Sequence, residues 1–363
     1  MSRSPAMAPA RYRSLDHWRG FAALWVLVFH SVNVWLEAQP HLLPPVASWI
    51  CLHGWLGANV FFVISGYCIA ERCTREFREG GTVRGFLVDR LLRIYPPYWA
   101  ALIFALLLNL AGAWAHGQTF SPGNPLPDGV FAWLRAFGAV EYWFGPSSYL
   151  LVAWTLSFEL GFYLIAAACL GLSLRTRRAW AGWALGVILL VIGLSPARAV
   201  LPLLTLWPNF ALGAMVWLLL RFLPQIPARL ALGLLCFGAI ACLSWKFLPG
   251  DHFTLGLMAL FAALLLVLQP WDARLADAPW LRWLGWIGTF SYSLYLVHAP
   301  IVGKFRNLLG RRWPSSDPKS LWVPLIACGL AIVVAWCFYQ VVERRTEKWR
   351  REYLGRSKRL KQS

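Results

Sequence analysis

The feature that most limits what this chain can fold into is a succession of apolar runs, each long enough to cross a bilayer. At 1.5 Å per helical residue, about 20 apolar residues span a hydrocarbon core of roughly 30 Å. On that measure the chain holds about ten spans, near 17–37, 47–70, 95–115, 149–172, 179–196, 201–221, 229–247, 252–270, 284–303 and 320–342. Backbone N–H and C=O groups have no water to bond in hydrocarbon, so runs of this kind close their hydrogen bonds within a helix. The expected fold is an all-α polytopic membrane protein of about ten transmembrane helices. Only 14% of the 363 residues are charged and 59% are hydrophobic, against roughly a quarter charged in soluble domains. The 23 Trp and 11 Tyr suit the aromatic belts of membrane interfaces. No small-x-small cleavage site follows the first apolar run, "FAALWVLVF", which therefore reads as a retained first helix.

The formal net charge is +18. It does not indicate nucleic acid, because the basic residues punctuate apolar runs rather than cover a soluble face. Placing the N-terminus inside puts roughly 26 of the 34 Lys and Arg on the cytoplasmic side, so the expected topology is N-in, C-in. Residues 1–345 form one membrane domain in this reading, and 346–363 a basic cytoplasmic tail. The segment 304–319 opposes the charge rule: it falls outside yet is strongly basic. Either it meets an anionic substrate or lipid headgroup, or the last two spans lie elsewhere. The outer segment 116–148 is rich in Gly and Pro, and its "VFAWLRAFGAV" reads as an interfacial helix beside a site. The 8 Cys include no C-x-x-C pair and fall mostly in apolar runs, which argues for buried thiols and against a metal site.

Ionisable residues at membrane depth are costly and tend to be functional. Asp16, Arg19 and His30 share one stripe of the first span, with His30 roughly 21 Å beyond Asp16. Glu159 lies near mid-membrane in "WTLSFELGFYLIA", with Thr155 and Tyr163 four residues to either side. Ser291 and His298 share a face in "FSYSLYLVHAP". Arg90 and Arg93 stand one turn apart at the inner start of the third span, where forked guanidiniums and the helix N-terminus favour phosphate. In "FFVISGY", Ser65, Gly66 and Tyr67 interrupt a membrane helix and suit one that faces a protein-lined cavity. Each group also has a plainer reading: interfacial histidines, a structural carboxylate, positive-inside anchoring, or close helix packing.

Taken in order, "R-x-x-D-x-x-R-G … H", "FFVISGY", "R-x-x-R-I-x-P-x-Y", "W-T-L-S-x-E" and "S-Y-S-x-Y-L-x-H-x-P" resemble the acyltransferase-3 family of membrane O-acyltransferases, from about residue 12 to 345. The resemblance implies transfer of an acyl group, usually acetyl, from cytoplasmic acyl-CoA to a hydroxyl of a carbohydrate. It implies His30 as the catalytic histidine, Arg13, Asp16 and Arg19 as its charged foot, and Arg90 and Arg93 as holders of the donor's phosphates, with Arg19 and Arg13 as further donor-binding residues. Ser65, Gly66, Glu159, Tyr292 and His298 match motif positions. The chain departs from the pattern at Asn59, where an acidic residue is common, and after Glu343, where a Pro is usual. The expectation is a stand-alone membrane domain, without the soluble hydrolase-like domain that some members carry.

Acyl transfer to an alcohol needs a base within hydrogen-bond reach, and a neutral imidazole suits that role. His30 is the expected base, with Glu159 and His298 as candidate partners. The developing oxyanion needs donors, for which Ser65, Tyr67 and Tyr292 are candidates. The expected co-substrate is acetyl-CoA, with no metal. The expected acceptor is a carbohydrate or lipid-linked glycan of the envelope at a bacterial inner membrane, in contact with membrane lipids. Succinyl transfer or a non-carbohydrate acceptor are alternatives within the same chemistry. A proton-coupled transporter is the alternative from another class, and the lack of an inverted repeat speaks against it.

Overall fold

In a computed structural model of the chain, the structure describes residues 12–115, 126–144, 149–222, 228–244, 252–309 and 312–359. The described residues are helical with short connections and contain no strand. Among the described residues, five helices, or six if one bent pair counts as a single span, are long and apolar enough to cross a membrane. The first is α1 (Leu15–Ala38). The bent pair is α2 (Pro45–Leu52) and α3 (Leu56–Arg78), which meet at 57°.

Helix α4 (Val83–Ala115) starts twelve residues before the apolar run begins. Its 33 residues measure about 50 Å, well beyond a bilayer core, so its first turns carry Asp89, Arg90 and Arg93 on a projecting end. Three aromatic side chains of α4 cap the next helix, α5 (Gly129–Gly138): Tyr95 donates to the Gly138 carbonyl at 2.9 Å, Tyr98 to Ala136 at 2.5 Å and Trp99 to Phe137 at 2.9 Å. The Phe137 and Gly138 carbonyls are ones that a helix C-terminus otherwise leaves unpaired, and Ala136 also accepts from the Ala139 amide at 3.2 Å. The outer face of α5 shows Val130, Phe131 and Leu134 to the surroundings, as an interfacial helix does. Residues 116–125 and 145–148 of the Gly/Pro-rich segment lie outside the described residues.

After the short α6 (Glu141–Phe144) come α7 (Ala153–Thr176), α8 (Ala179–Leu194), α9 (Trp207–Phe222), α10 (Ala228–Ser244) and α11 (His252–Leu268). Helices α3 and α9 approach closely. A Cβ on Gly66 would stand 2.0 Å from the Phe210 carbonyl oxygen, and one on Gly213 1.8 Å from that of Val63. Small residues bring two backbones together in this way, and dispersion then holds them. The start of α1 is clamped to α12 (Asp272–Asp277): Asp272 accepts from the Arg13 and Ser14 amides at 2.6 and 2.9 Å.

The run expected as one span over 284–303 is two helices, α13 (Arg282–Thr289) and α14 (Ser291–Leu309). Helix α13 lies against α1, and α14 continues past the apolar run. Lys304 and Arg306 of the basic segment therefore sit on its last turns, while residues 310–311 lie outside the described residues. Helix α15 (Trp322–Phe338) runs through a π-helical turn, Tyr339–Glu343, into α16 (Arg344–Arg359). The residues expected as a tail thus begin as a helix against α4, and residues 360–363 lie outside the described ones.

Candidate active site

A cavity of about 720 Å³ opens between α1, α3, α4, α7, α14 and α16. It is of ordinary ligand-site size, roughly 300–1,000 Å³. Its mouth is basic: Arg19, Arg72, Arg75, Arg90, Arg93, Arg350 and Arg351 line it. These residues come from the starts of α1 and α4, the end of α3, and α16, so they share one end of the bundle. Asp89 organises them. Its carboxylate accepts from Arg90 at 2.8 Å and from Arg350 at 2.8 Å, with Arg72 at 3.6 Å. Arg72 also pairs with Glu76 at 2.5 Å. Asp89 is buried, and a buried carboxylate at this depth is held by such charge-assisted bonds. Arg93 and the more exposed Arg75 face the cavity with no ion pair within 4.0 Å among the described residues.

Deeper in, the lining becomes mixed. Ser65, Thr155, Glu159, Tyr163, Ser291 and Tyr292 face the cavity together. Tyr163 donates to Glu159 at 2.5 Å, one helical turn away, and Tyr292 donates to the Ile94 carbonyl at 3.0 Å. Glu343 accepts from both the Ser293 amide, at 3.1 Å, and the Ser293 hydroxyl, at 2.5 Å. That contact ties the π-helical turn to the first turn of α14. The far wall of the cavity is apolar and includes Phe61 and Tyr295, whose rings meet edge-on at 5.9 Å.

The two histidines lie beyond that wall. His298 packs its ring 5.8 Å from Tyr295 and 5.2 Å from His30. His298 is 1% exposed, so any polar atom it leaves unpaired is secluded from solvent. Its Nδ1 lies 3.0 Å from the Leu294 carbonyl, which can only accept, so Nδ1 carries the proton. Nε2 is then a lone pair, and it has no hydrogen-bond partner among the described residues. His30 is half-buried and supplies the accessible ring of the pair.

The sequence-predicted residues thus fall into three sets. Asp16, Arg19, Ser65, Arg90, Arg93, Glu159, Ser291 and Tyr292 line one cavity, and His30 and His298 meet past its end. Arg13, Gly66 and Tyr67 are elsewhere. Arg13 pairs with Asp277 at 2.6 Å on an exposed edge. Gly66 serves the α3–α9 contact, and Tyr67 packs on Tyr12 with ring centroids 6.0 Å apart. Sequence reasoning missed Asp89, Arg72 and Arg350. Asp89 had one available signal, as an acidic residue inside the basic stretch "RGFLVDRLLR". Among the described residues no group of three His, Cys, Asp or Glu side chains is placed to hold a metal ion.

The described residues thus form a helical bundle, with helices long and apolar enough to cross a membrane and a basic cavity that ends near a histidine pair. Residues 12–340 match the family model described as acyltransferase domain, and the chain belongs to this acyltransferase-3 family of non-aminoacyl acyltransferases. Among curated relatives it is 30% identical to the putative membrane-bound transacylase BcsY of Komagataeibacter xylinus, over 80% of this chain and 72% of that one. It is 28% identical to the exopolysaccharide production protein ExoZ of Rhizobium meliloti, over 72% and 82%. It is 23% identical to the peptidoglycan O-acetyltransferase OatA of Listeria monocytogenes, over 96% of this chain. The chain spans only 58% of that last relative's length. No solved structure matches.

Proposed function

We propose that the protein moves an acyl group, acetyl in the first instance, from cytoplasmic acyl-CoA to a hydroxyl of an envelope glycan. The observation that carries the reading is the arrangement itself: a cavity with free and organised guanidiniums at one end, and a histidine pair behind its far wall. Arg93 would take a donor phosphate through its forked donors, with Arg90 and Arg350 held beside it by Asp89. The pantetheine arm would extend along the cavity past Ser65 and Glu159 towards Phe61 and Tyr295. Names of relatives support the acceptor class, since one is a peptidoglycan O-acetyltransferase and another an exopolysaccharide production protein.

The chemistry follows from the groups at the far end. The acceptor oxygen attacks the thioester carbonyl carbon as His30 takes the hydroxyl proton. The tetrahedral oxyanion then collapses, the C–S bond breaks, and the proton passes from His30 to the departing CoA thiolate. His298, with Nδ1–H fixed on Leu294 and its ring 5.2 Å from that of His30, would hold the His30 ring in register by packing. Ser65 faces the cavity and would serve as an oxyanion donor, whereas the Tyr292 hydroxyl already donates to the Ile94 carbonyl and is not free for that role. Ten spans with both termini inside, in a bacterial cytoplasmic membrane, would put the arginine end where acyl-CoA is made. The test uses purified protein with acetyl-CoA and an oligosaccharide: the reading requires CoA release coupled to an acetyl mass gain on the sugar. Proton uptake with no acylated product would instead favour a transporter.

A further inference from the structure

A second cavity, of about 300 Å³, lies at the end of the bundle opposite the arginines. It is formed where α3, α7, α9 and α11 begin and α8 ends, and α3 and α7 wall it off from the larger cavity. Alternate residues of these two helices serve the two sides. Ala58 and Phe61 face the large cavity and Trp55 and Asn59 the small one. Thr155 and Glu159 face the large one and Trp154 and Phe158 the small one.

Its lining has two components. Trp55, Trp154 and Tyr142 are partly exposed aromatic rings, with Phe158 packed 4.4 Å from Tyr142 and 6.1 Å from Trp154. The polar component comprises Thr205, His252 and Thr254 and, at the floor, an amide pair in which Asn209 Nδ2 donates to Asn59 Oδ1 at 2.8 Å. Both asparagines are 3% exposed, so the unused Nδ2 donors of Asn59 and the Oδ1 acceptor of Asn209 are at the cavity or nowhere. Flipping both amides would still leave one donor group and one acceptor. A carboxylate at position 59 would make this floor anionic; the amide keeps it neutral. Arg198 stands at the rim, half-buried, with no ion pair within 4.0 Å among the described residues.

Flat aromatic walls over a floor that both donates and accepts complement a sugar ring. Its C–H face packs on an aromatic surface, and its equatorial hydroxyls donate and accept at the same time. The volume is at the small end of ligand sites, suited to one compact polar ring. We propose that this cavity is a saccharide-binding subsite that holds one neutral sugar unit of a polymeric acceptor, apart from the histidine pair. The proposal rests on the glycan-acyltransferase reading. It gives that reading a way to use binding energy from a part of the substrate that does not react.

The test uses the full chain in lipid nanodiscs, with cellotetraose and chitotetraose as probes in saturation-transfer NMR and tryptophan-fluorescence titrations. The wild type is expected to bind at least one of them. Asn209→Leu, which removes half the amide floor, should weaken that binding at least about tenfold, the equivalent of 1.4 kcal/mol. Arg198→Gln at the rim should weaken it about threefold, and it decides the matter if Asn209→Leu does not fold. CoA titrated against the same samples should bind all three proteins alike. The subsite is overturned if neither tetrasaccharide binds the wild type, or if the folded variants bind them as the wild type does. Wild-type tetrasaccharide binding that Asn209→Leu weakens, in a protein that neither binds CoA nor transfers acetyl, would uphold the subsite and remove the transferase reading. Acetyl transfer to the tetrasaccharide with unchanged KM in Asn209→Leu would do the reverse.

Discussion

At the arginine-lined end, one buried carboxylate, Asp89, is shared by three guanidiniums at 2.8, 2.8 and 3.6 Å. At the other end, the buried imidazole of His298 has a single backbone carbonyl as partner and an orphaned lone pair. The first region spreads its charge over a network drawn from α3, α4 and α16. The second keeps two rings against each other in apolar surroundings. A buried charge persists when it is paired, so the arginine network reads as a scaffold that fixes Arg90 and Arg350 and leaves Arg93 for a ligand. An unpartnered buried nitrogen costs folding energy whatever its role, and the Nε atoms of Arg72, Arg90 and Arg350 are unpartnered as well; what sets the histidine end apart is a lone pair beside a second imidazole and away from any ion pair. The proposed function places binding at the first end and chemistry at the second.

That division can be broken at four places, in falling order of effect. His30→Ala should lower acyl transfer by about 10²–10⁴-fold, the range for loss of a general base, with thermal stability and CoA affinity unchanged. Steady-state turnover beside a CoA titration measures both. Asp89→Ala leaves three guanidiniums without their shared counter-charge, and should destabilise the protein by about 3–5 kcal/mol. The readout is the thermal midpoint in detergent; an unchanged midpoint would show that α16 does not depend on Asp89. Arg93→Lys keeps the charge but loses the fork, and should weaken CoA about tenfold, with Arg93→Ala weaker again. Arg13→Ala removes only an exposed pair with Asp277, whose side chains are 50% and 64% exposed. Its CoA affinity should match the wild type within twofold, and its stability should change by less than about 1 kcal/mol. A large loss of CoA binding in Arg13→Ala would move the donor site towards α12.

These outcomes also mark how far the sequence was legible. Helical periodicity put Asp16 and Arg19 on the cavity side of α1, and i, i+4 spacing paired Glu159 with Tyr163, because both are local to one helix. The helix within "VFAWLRAFGAV" was visible for the same reason. Helix breaks were less legible. An apolar run carries no mark of the bend at Phe290 that separates α13 from α14, since both halves are equally apolar. The Asp89–Arg350 contact joins residues 261 apart in the chain, and nothing in the spacing of a basic terminal segment places it on the third span. The Asn59–Asn209 bond, across 150 residues, was out of reach in the same way. Tyr67 shared a motif with Ser65, yet two residues along a helix is about 200° of rotation, which turns its ring to Tyr12.

The central claim is that donor binding and acceptor chemistry occupy opposite ends of the bundle. It is tested most directly in proteoliposomes of known orientation. Acetyl-CoA is supplied only on the face that carries α16, and cellotetraose or chitotetraose only on the other. The account predicts acetylated sugar in the opposite compartment, free CoA on the α16 face, and neither product with His30→Ala. Transfer that occurs only when both substrates share one face would contradict it.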